Sequence, residues 1–307
     1  MLIGDVGSNL QNPSDDICKI YIPDEGKVFI QVDCAGAEAL IVAYECDDGR
    51  FRQLFNNGIK PHTFVAMNLF QPEWKKEQPY DVKNLCSLPI PELAQHPEWK
   101  KLSKVIKNHG ERYFIGKKTC HSFNYCKTAA SFRFDVLKES EGKVALTLAQ
   151  SEFFETIYHF LFPEIKRWQK KVEEVIKATR TLRNLYGFPM HFGGHITEKI
   201  VREGVAWVPQ STVGVIGANG VRDMQRFVEV NDWSGVDVLN NKHDSVLIQA
   251  PENDWQPAAK TLSDLMSVKL VSSNGVEFQM KTEVSVGKNW GKYDEEENPE
   301  GMKEVTL

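Results

Sequence analysis

Two aspartates, far apart in the chain, each belong to a hydrophobic run that is typical of a β-strand. Asp33 lies near the end of residues 29–34, and Asp244 interrupts residues 238–248. Aspartate has a poor strand propensity and its charge is costly to bury, so each carboxylate needs a compensating partner. A divalent cation is one such partner, and two carboxylates can hold a pair of Mg²⁺ ions about 4 Å apart, which is the arrangement used in phosphoryl transfer. Taken singly, either aspartate could instead be an ordinary turn or edge-strand residue.

A second set of chemically useful side chains lies between the two aspartates, in residues 112–125. If this segment is helical, Lys117, His121, Asn124 and Tyr125 follow the spacing i, i+4, i+7 and i+8, which puts them on one face. A lysine suits a triphosphate as a mobile point charge, and a flat ring can stack on a nucleobase. The spacing therefore predicts a nucleotide-binding helix face, although an ordinary solvated face of an amphipathic helix has the same pattern.

Composition limits the class of protein. Charged residues at 26% and hydrophobic residues at 41% are ordinary for a globular chain, and 307 residues suffice for one large domain or two smaller ones. The sequence has no apolar run of about 18 residues and no signal-peptide pattern at its N-terminus, so no membrane partner is expected. Six cysteines without a Cys-x-x-Cys pair argue against a zinc site and favour reduced thiols in a cytoplasm.

The charge is unusual for a protein that would bind nucleic acid. The formal net charge is −5, whereas a free-standing DNA-binding module is expected to be basic, because phosphate neutralisation supplies much of its affinity. Basic residues are concentrated locally, in 100–118 and 166–183, and acidic residues are concentrated in 294–300. Each lysine cluster is also typical of a solvated helix face.

The pattern along the chain predicts a mixture of strands and helices. Residues 19–46 alternate strand-like runs with a turn at 24–26 and continue into a helical pattern after Asp33. The proline-rich residues 71–100 predict a loop-like insertion, and helical periodicity dominates residues 101–181. Further predictions are a helix start at Pro163, turns between Gly187 and Gly194, a helix at about 211–227 before the hairpin that carries Asp244, and a helix at 255–266 capped by residues 251–254.

Taken in order, the segments around Asp33, Lys117 and Asp244 resemble motifs A, B and C of the family A DNA polymerases, the group that includes bacterial polymerase I and many phage replicases. Shorter landmarks support the resemblance. These are Asn9-Leu10-Gln11-Asn12 (similar to an NLQN segment), Gly58-Ile59-Lys60-Pro61-His62-Thr63 (G-x-D-x-H-T), Pro209-Gln210-Ser211-Thr212 (P-x-Q-G-T) and Gly287-Lys288-Asn289-Trp290 (the family's usual ending). The landmarks occur in the family's order from about residue 4 to residue 290, and such order is more specific than any single motif.

The resemblance implies an α+β fold of the polymerase right-hand type, with an antiparallel palm sheet backed by helices. Residues 1–66 and 201–290 would form the palm, residues 67–200 the helical fingers, and residues 291–307 an acidic tail. The family's thumb and 3′–5′ exonuclease lie upstream of the NLQN segment, where this chain starts, so we expect the thumb to be absent. The chain would then be a fragment or the C-terminal half of a split, phage-type polymerase, with a separate chain carrying the thumb and exonuclease.

Several positions depart from the family pattern. The carboxylate that normally follows the motif C aspartate is Ser245, a residue that the related single-subunit RNA polymerases also have there. In motif B, Tyr113 stands where an arginine is expected, Arg112 lies one position earlier, and Cys126 replaces the usual glycine after the tyrosine. Leu40 in motif A and Ala206 before the P-x-Q stretch are further substitutions.

The resemblance assigns a role to each matching residue. Asp33 and Asp244 would be the catalytic metal ligands for two Mg²⁺ ions, with Mn²⁺ as a substitute, and the Cys34 carbonyl would be an additional ligand. Primer-template DNA and a deoxynucleoside triphosphate (dNTP) would be the partners of the reaction. The implied nucleotide-binding residues are Glu38, His62, Arg112, Lys117, His121 and Tyr125, and the implied DNA-binding residues are Asn9, Gln11, Asn12, Gln210 and His243.

Two alternatives to DNA synthesis follow from the same comparison. RNA synthesis is disfavoured by Glu38, because family A DNA polymerases have a glutamate there that crowds the sugar 2′ position, whereas the related RNA polymerases have a smaller residue. A non-catalytic or weakly active DNA-binding replication subunit would fit the substituted motifs. Retention of Asp33, Lys117, Tyr125 and Asp244 argues against it. The expected location is a cytoplasm, that of the host cell if the protein is phage-encoded.

Overall fold

The computed structural model describes residue 13 and residues 15–307. The predicted DNA-binding residues Asn9, Gln11 and Asn12 therefore lie outside the described residues. The helices are α1 (Asp15–Cys18), α2 (Ala37–Glu45), α3 (Arg50–Asn56), α4 (Pro61–Leu69), α5 (Gln71–Glu77), α6 (Val82–Ser87), α7 (Ile90–Gln95), α8 (Pro97–Asn108), α9 (Gly110–Asn124), α10 (Ala129–Glu139), α11 (Leu148–Leu161), α12 (Pro163–Thr179), α13 (Glu198–Val230) and α14 (Gln256–Met266). The strands are β1 (Lys27–Cys34), β2 (Thr181–Arg183), β3 (Pro189–His191), β4 (Asp237–Lys242), β5 (Ser245–Pro251), β6 (Lys269–Val271), β7 (Glu277–Gln279), β8 (Thr282–Gly287) and β9 (Lys303–Val305).

The described chain divides into two compact units. The first contains the described residues up to Ala37 together with Gln210–Val271 and Glu277–Leu307, and the second contains Glu38–Pro209 with Ser272–Val276. The first unit holds a five-stranded antiparallel sheet and the second is mainly helical. The prediction of an α+β fold with an antiparallel sheet and helices is confirmed.

The sheet of the first unit has the strand order β4-β5-β1-β8-β9. Its central strand, β1, has buried residues on both faces: Val28, Ile30 and Val32 on one face and Phe29 on the other. Helix α14 packs on β1 and β8, and its buried residues include the small side chains Ala258 and Ala259, which let the helix approach closely. The predicted turn before β1 is confirmed by the hydrogen bond from the Lys27 amide to the Asp24 carbonyl (3.0 Å).

The second unit is built around one hydrophobic core formed by buried residues between Val42 and Val208. Within it, α4 and α9 lie against each other at Gly116. A methyl group added at Gly116 would come within 2.6 Å of the His62 carbonyl oxygen and 2.9 Å of the Ala66 Cβ atom. The missing side chain at Gly116 is therefore what allows these two helices to pack so closely.

We expect Gly116→Ala to destabilise the protein, although alanine is the better helix former. Moving two helices apart to admit a methyl group costs about 1–3 kcal/mol, which exceeds the roughly 1 kcal/mol gained in helix propensity. Gly214→Ala in α13 is the matched control, because an added methyl there meets nothing within 4 Å. Denaturant unfolding should show a lower free energy of unfolding for Gly116→Ala and a higher one for Gly214→Ala. An increase for both would contradict the close-packing argument.

One segment of the predicted secondary structure was wrong, and two predicted helices are present but differ in extent or in their cap. Residues 71–100 are not a loop but fold into α5, α6, α7 and the start of α8. Their prolines start helices rather than break them, because Pro72, Pro91 and Pro97 occupy the first or second helical position, where no amide donor is required. The helix predicted at 211–227 is the longer α13, which contains Pro209. Helix α14 begins at Gln256 without a side-chain cap, whereas Pro163 does start α12 as predicted.

No helix among the described residues is long and apolar enough to cross a membrane.

Candidate active site

Strand pairing brings Asp33 and Asp244 to the same end of the sheet of the first unit. Strands β1 and β5 are antiparallel with Asp33 opposite Ser245, the residue that follows Asp244. The Cys34 amide donates a hydrogen bond to the Asp244 carbonyl oxygen (2.9 Å). Asp244 itself lies in the two-residue turn between β4 and β5, where His243 adopts a left-handed conformation (φ 56°). Two aspartates that are 211 positions apart in the sequence are thus next to each other in the fold.

The electrostatics of this position favour a cation. Burial raises the pKa of Asp33 to about 6, and the negative charges of Asp244 and Glu283 act in the same direction, against a hydrogen bond from Gln31. A carboxylate whose ionised form is disfavoured by burial and by neighbouring negative charge is stabilised by a bound cation. Mg²⁺ commonly takes one or two protein carboxylates and completes its shell with phosphate oxygens and water. Among the described residues, no group of three or more His, Cys, Asp or Glu side chains is arranged to hold a metal ion. Two carboxylates are within the number that Mg²⁺ commonly takes from a protein.

Cys34 can contribute to such a site only through its backbone. The Cys34 side chain is buried, and burial raises the pKa of its thiol to about 12, with the Asp33 and Asp244 charges acting in the same direction. The thiol therefore remains protonated at neutral pH and cannot act as a thiolate ligand. A carbonyl oxygen is the harder ligand and the one that suits Mg²⁺.

Glu283 is a charged neighbour that sequence reasoning missed. It lies on β8 directly opposite Asp33, on the side of β1 away from Ser245. Its side chain is exposed. No motif marks Glu283, because its proximity to Asp33 depends on which residues of β1 and β8 face each other.

Ser245, the residue after Asp244, makes a hydrogen bond within the hairpin turn. It is buried, and its hydroxyl donates to the Lys242 carbonyl oxygen (3.0 Å) across the hairpin turn. Ser245 therefore closes the turn that presents Asp244.

In the second unit, Glu38, His121 and Tyr125 come together. The Tyr125 hydroxyl donates to Glu38 Oε2 at 2.5 Å, and His121 Nδ1 lies 3.9 Å from the same oxygen. The rings of His121 and Tyr125 meet edge to face, with centroids 5.3 Å apart. Burial raises the pKa of Tyr125, and the Glu38 carboxylate adds to the shift, so the phenol keeps its proton for this hydrogen bond. The contact holds the Glu38 carboxylate in one place.

The charge of Lys117 acts on the pKa of His62. Burial lowers the pKa of His62 to about 4, and the positive charges of Lys117, Lys60 and His121 act in the same direction. His62 is therefore a neutral imidazole at pH 7. Lys117 is exposed on α9. The positive charge of this region thus resides on the lysines, and His62 can act only as a neutral hydrogen-bonding group.

Arg112 is held by partners within the second unit. Its guanidinium makes two hydrogen bonds to the Glu77 carboxylate, at 2.6 and 2.7 Å, and lies over the Trp74 ring at 4.4 Å. The Glu77 hydrogen bonds raise the pKa of Arg112 further. Its implied role in binding the triphosphate stays a prediction, and Glu77 is the group with which a triphosphate would compete.

The predicted single face of four polar residues on α9 was wrong at Asn124. Asn124 is buried, and its side-chain oxygen accepts a hydrogen bond from the Tyr158 hydroxyl at 2.6 Å. Tyr125 follows the last residue of α9 rather than extending it. Lys117 and His121 remain exposed as the pattern predicted. Asn124 is buried despite its helical spacing, because its side-chain amide has a buried hydrogen-bond partner in Tyr158.

Cys126 adopts a backbone conformation that favours glycine. Its φ of 55° lies in the left-handed region, which costs a residue with a Cβ atom about 1–2 kcal/mol.

We expect Cys126→Gly to stabilise the protein by roughly 0.5–1 kcal/mol, because relief of this strain exceeds the entropy that glycine gains on unfolding. Cys86→Gly is the matched control: Cys86 is another half-buried cysteine but lies in α6, where glycine costs about 1 kcal/mol. Denaturant melts of both variants should therefore move in opposite directions. Destabilisation by Cys126→Gly would show that its half-buried side chain outweighs the strain.

The two described residues implied in DNA binding are both exposed. Gln210 lies on α13, one residue after Pro209, and His243 lies in the turn beside Asp244. Exposure is required for contact with DNA, but it is common to most polar residues. Their roles stay predictions.

Comparison with solved structures supports the fold. The chain is similar to the polymerase domain of Pol1 from M. smegmatis, solved in complex with DNA primer-template and dNTP, with a TM-score of 0.62 and 16% sequence identity. The match covers 92% of this chain and 44% of that chain. At this identity the likeness concerns the fold alone, which is that of a polymerase domain. No family model matches the sequence, and no curated protein sequence matches it.

Proposed function

We propose that the protein catalyses template-directed 5′–3′ DNA synthesis by a two-metal mechanism. The observation that carries the proposal is the register that places Asp33 opposite Ser245 and so brings Asp33 beside Asp244. The likeness of the fold to a polymerase domain supports it. In the reaction, the primer 3′-hydroxyl attacks the α-phosphorus of a dNTP and pyrophosphate leaves. When bound, two Mg²⁺ ions would stabilise the attacking and leaving oxygens.

Asp33, Asp244 and the Cys34 carbonyl are the groups that would hold the metal ions. Both carboxylates lie on one end of a rigid sheet, which favours catalysis because their positions need little rearrangement during the reaction. Asp33 is a β1 residue paired on both sides, by β5 and by β8. The Asp244 backbone is fixed by the hydrogen bond from Cys34.

In the second unit, we propose that Lys117 neutralises charge on the triphosphate and that Glu38 excludes the ribose 2′-hydroxyl. Lys117 is exposed, and electrostatic stabilisation is the main contribution of protein side chains to phosphoryl transfer. The Tyr125 hydroxyl holds Glu38 at 2.5 Å, which gives this carboxylate the fixed position that steric exclusion needs. His62, as a neutral donor, and His121 would assist in binding the nucleotide.

The domain assignment is part of the proposal. Residues 1–66 and 201–290 would act as the palm and residues 67–200 as the fingers, with primer-template DNA as the partner. Residues 291–307 were expected to form an acidic tail, and the structure includes β9 in them, paired with β8. A phage source, and a separate chain with a thumb and exonuclease, stay predictions.

Primer extension by the purified chain tests the proposal. We expect incorporation that requires Mg²⁺, follows the template base, and uses dNTPs in preference to ribonucleoside triphosphates. Mn²⁺ should support the same reaction, and a chelator should stop it. DNA binding without any extension would instead favour the non-catalytic replication subunit, and a preference for ribonucleotides would favour the RNA-synthesising relative.

A further inference from the structure

The Asp33 carboxylate lies at the end of a chain of hydrogen bonds that starts at Trp290. The indole Nε1 of Trp290 donates to Gln31 Oε1 at 2.6 Å. Gln31 Nε2 then donates to Asp33, 3.1 Å from Oδ1 and 2.9 Å from Oδ2. Gln31 and Asp33 are two positions apart on β1, so their side chains point to the same face of the sheet. All three residues belong to the first unit.

The chemistry of the groups determines which one donates in each of these hydrogen bonds. An indole N–H can only donate, so it must meet the oxygen end of the Gln31 amide. The nitrogen end of the amide must then face Asp33, where it can only donate. A glutamine without such an anchor could turn its amide by 180° and place an acceptor against the carboxylate. Trp290 therefore ensures that Asp33 always meets a donor.

Trp290 is itself held in place. It is 7% exposed and belongs to a small core cluster with Cys18, Phe29 and Leu247. Its backbone amide donates to the Tyr21 carbonyl oxygen at 3.1 Å, and the two aromatic rings meet edge to face at 5.9 Å. Because the Trp290 ring is buried and its backbone is hydrogen-bonded, its indole N–H holds the Gln31 amide in a defined position.

We propose that Gln31 and Trp290 are positioning residues that orient the Asp33 carboxylate for metal binding. This inference rests on the proposed function of Asp33. Because the Gln31 amide contacts both carboxylate oxygens, it fixes the rotation of the carboxylate about its side-chain bond. Groups that orient metal ligands in this way typically change metal affinity or activity by about 10- to 100-fold when they are removed.

Gln31→Met tests the proposal, since methionine has a similar length but cannot donate a hydrogen bond. Mn²⁺ binding to the chain alone, followed by calorimetry or by electron paramagnetic resonance, should weaken by about 10- to 100-fold. In primer extension, kcat at a fixed moderate Mg²⁺ concentration should fall and recover at high Mg²⁺. The KM for dNTP at saturating Mg²⁺ should not change, because Gln31 acts on the metal ligand and not on the nucleotide.

Gln249→Met is the matched control. Gln249 is also a glutamine of this sheet whose amide donates to two carboxylate groups, those of Asp24 (2.7 Å) and Asp237 (2.9 Å). Those carboxylates are at the opposite end of β1 and β5 from Asp33. Gln249→Met should therefore leave Mn²⁺ affinity unchanged, although it also removes a buried amide and can lower the stability of the fold.

Trp290→Phe separates the role of the indole N–H from that of the ring. Phenylalanine keeps an aromatic ring but frees the Gln31 amide to turn, so Mn²⁺ affinity should fall by less than in Gln31→Met. The Trp290 indole N–H signal in a ¹⁵N-correlated NMR spectrum is identified by its loss in Trp290→Phe. It should shift in Gln31→Met, which reports on the hydrogen bond independently of activity.

Unchanged Mn²⁺ affinity in a folded Gln31→Met protein, or an equal loss in Gln249→Met, would overturn the positioning role. Failure of the proposed function gives a different result, since Asp33→Asn would then leave Mn²⁺ affinity and primer extension as in the unaltered protein. If Asp33→Asn abolishes both while Gln31→Met changes neither, the proposed function stands and the positioning role is wrong.

Discussion

Replacing Asp244 by asparagine should abolish nucleotide incorporation while leaving the fold intact. Asparagine keeps the shape of the side chain and tolerates turn conformations, and the hydrogen bond from the Cys34 amide goes to the backbone of residue 244. The variant removes one of the two carboxylates that would bind the metal ions. A centrally placed catalytic group typically contributes a factor of about 1,000 or more in rate. Single-nucleotide extension under single-turnover conditions measures the loss.

Asp237→Asn is the matched control for this prediction. Asp237 lies at the other end of β4 and pairs with Lys27 at 2.6 Å. Its replacement should cost little stability, because an exposed ion pair contributes about 0–1 kcal/mol, and the rate of incorporation should not change. Extension by Asp244→Asn at the rate of the unaltered protein would contradict the two-metal assignment. A loss of activity in both variants would point to damage to the sheet rather than to metal chemistry.

Replacing Glu38 by alanine should raise ribonucleotide incorporation relative to deoxyribonucleotide. If the Glu38 carboxylate occupies the space that a 2′-hydroxyl needs, inserting that oxygen costs about 1–3 kcal/mol in a packed site. This corresponds to a discrimination of roughly 5- to 150-fold that the variant would lose. The measurement is the ratio of kcat/KM for matched ribo- and deoxyribonucleoside triphosphates in single-nucleotide extension.

Two tyrosine variants show whether the hydrogen bond to Glu38 matters for this selection. Tyr125→Phe removes the hydroxyl that holds Glu38, so it should lower discrimination in the same direction but by less than Glu38→Ala. Tyr158→Phe removes a comparable hydroxyl, which donates to buried Asn124, and should leave the ratio unchanged. An unaltered ratio in Glu38→Ala would make Glu38 a structural residue of α2 only.

The sequence by itself predicted which residues would do the chemistry. Asp33 and Asp244 stand out because carboxylates are costly in apolar strands, and that cost is a local property of each segment. The hydrophobic run around Asp33 and the helical spacing around Lys117 are local as well, since each can be read within a single segment. The order of short landmarks added the resemblance to a polymerase fold, which the structure confirms at the level of the fold.

Predictions made from a single segment were wrong where a contact with a distant part of the chain determined the structure. The spacing on α9 predicted that Asn124 would lie on an exposed face. Instead Asn124 is buried, and its side-chain oxygen accepts a hydrogen bond from the Tyr158 hydroxyl on α11. The prolines in residues 71–100 suggested a loop, because a proline that breaks a helix and one that starts it look alike until the helix ends are known.

Only the tertiary structure decided which residues surround Asp33. Glu283 faces it and Trp290 anchors Gln31 from 259 positions away. Strand register sets these pairings, and a shift of one residue would turn every side chain of a strand to the other face of the sheet. The register depends on how the whole sheet packs against its helix, so it cannot be predicted from any single segment. For this reason the sequence alone could single out the two aspartates but could not identify the residues that surround Asp33 in the fold.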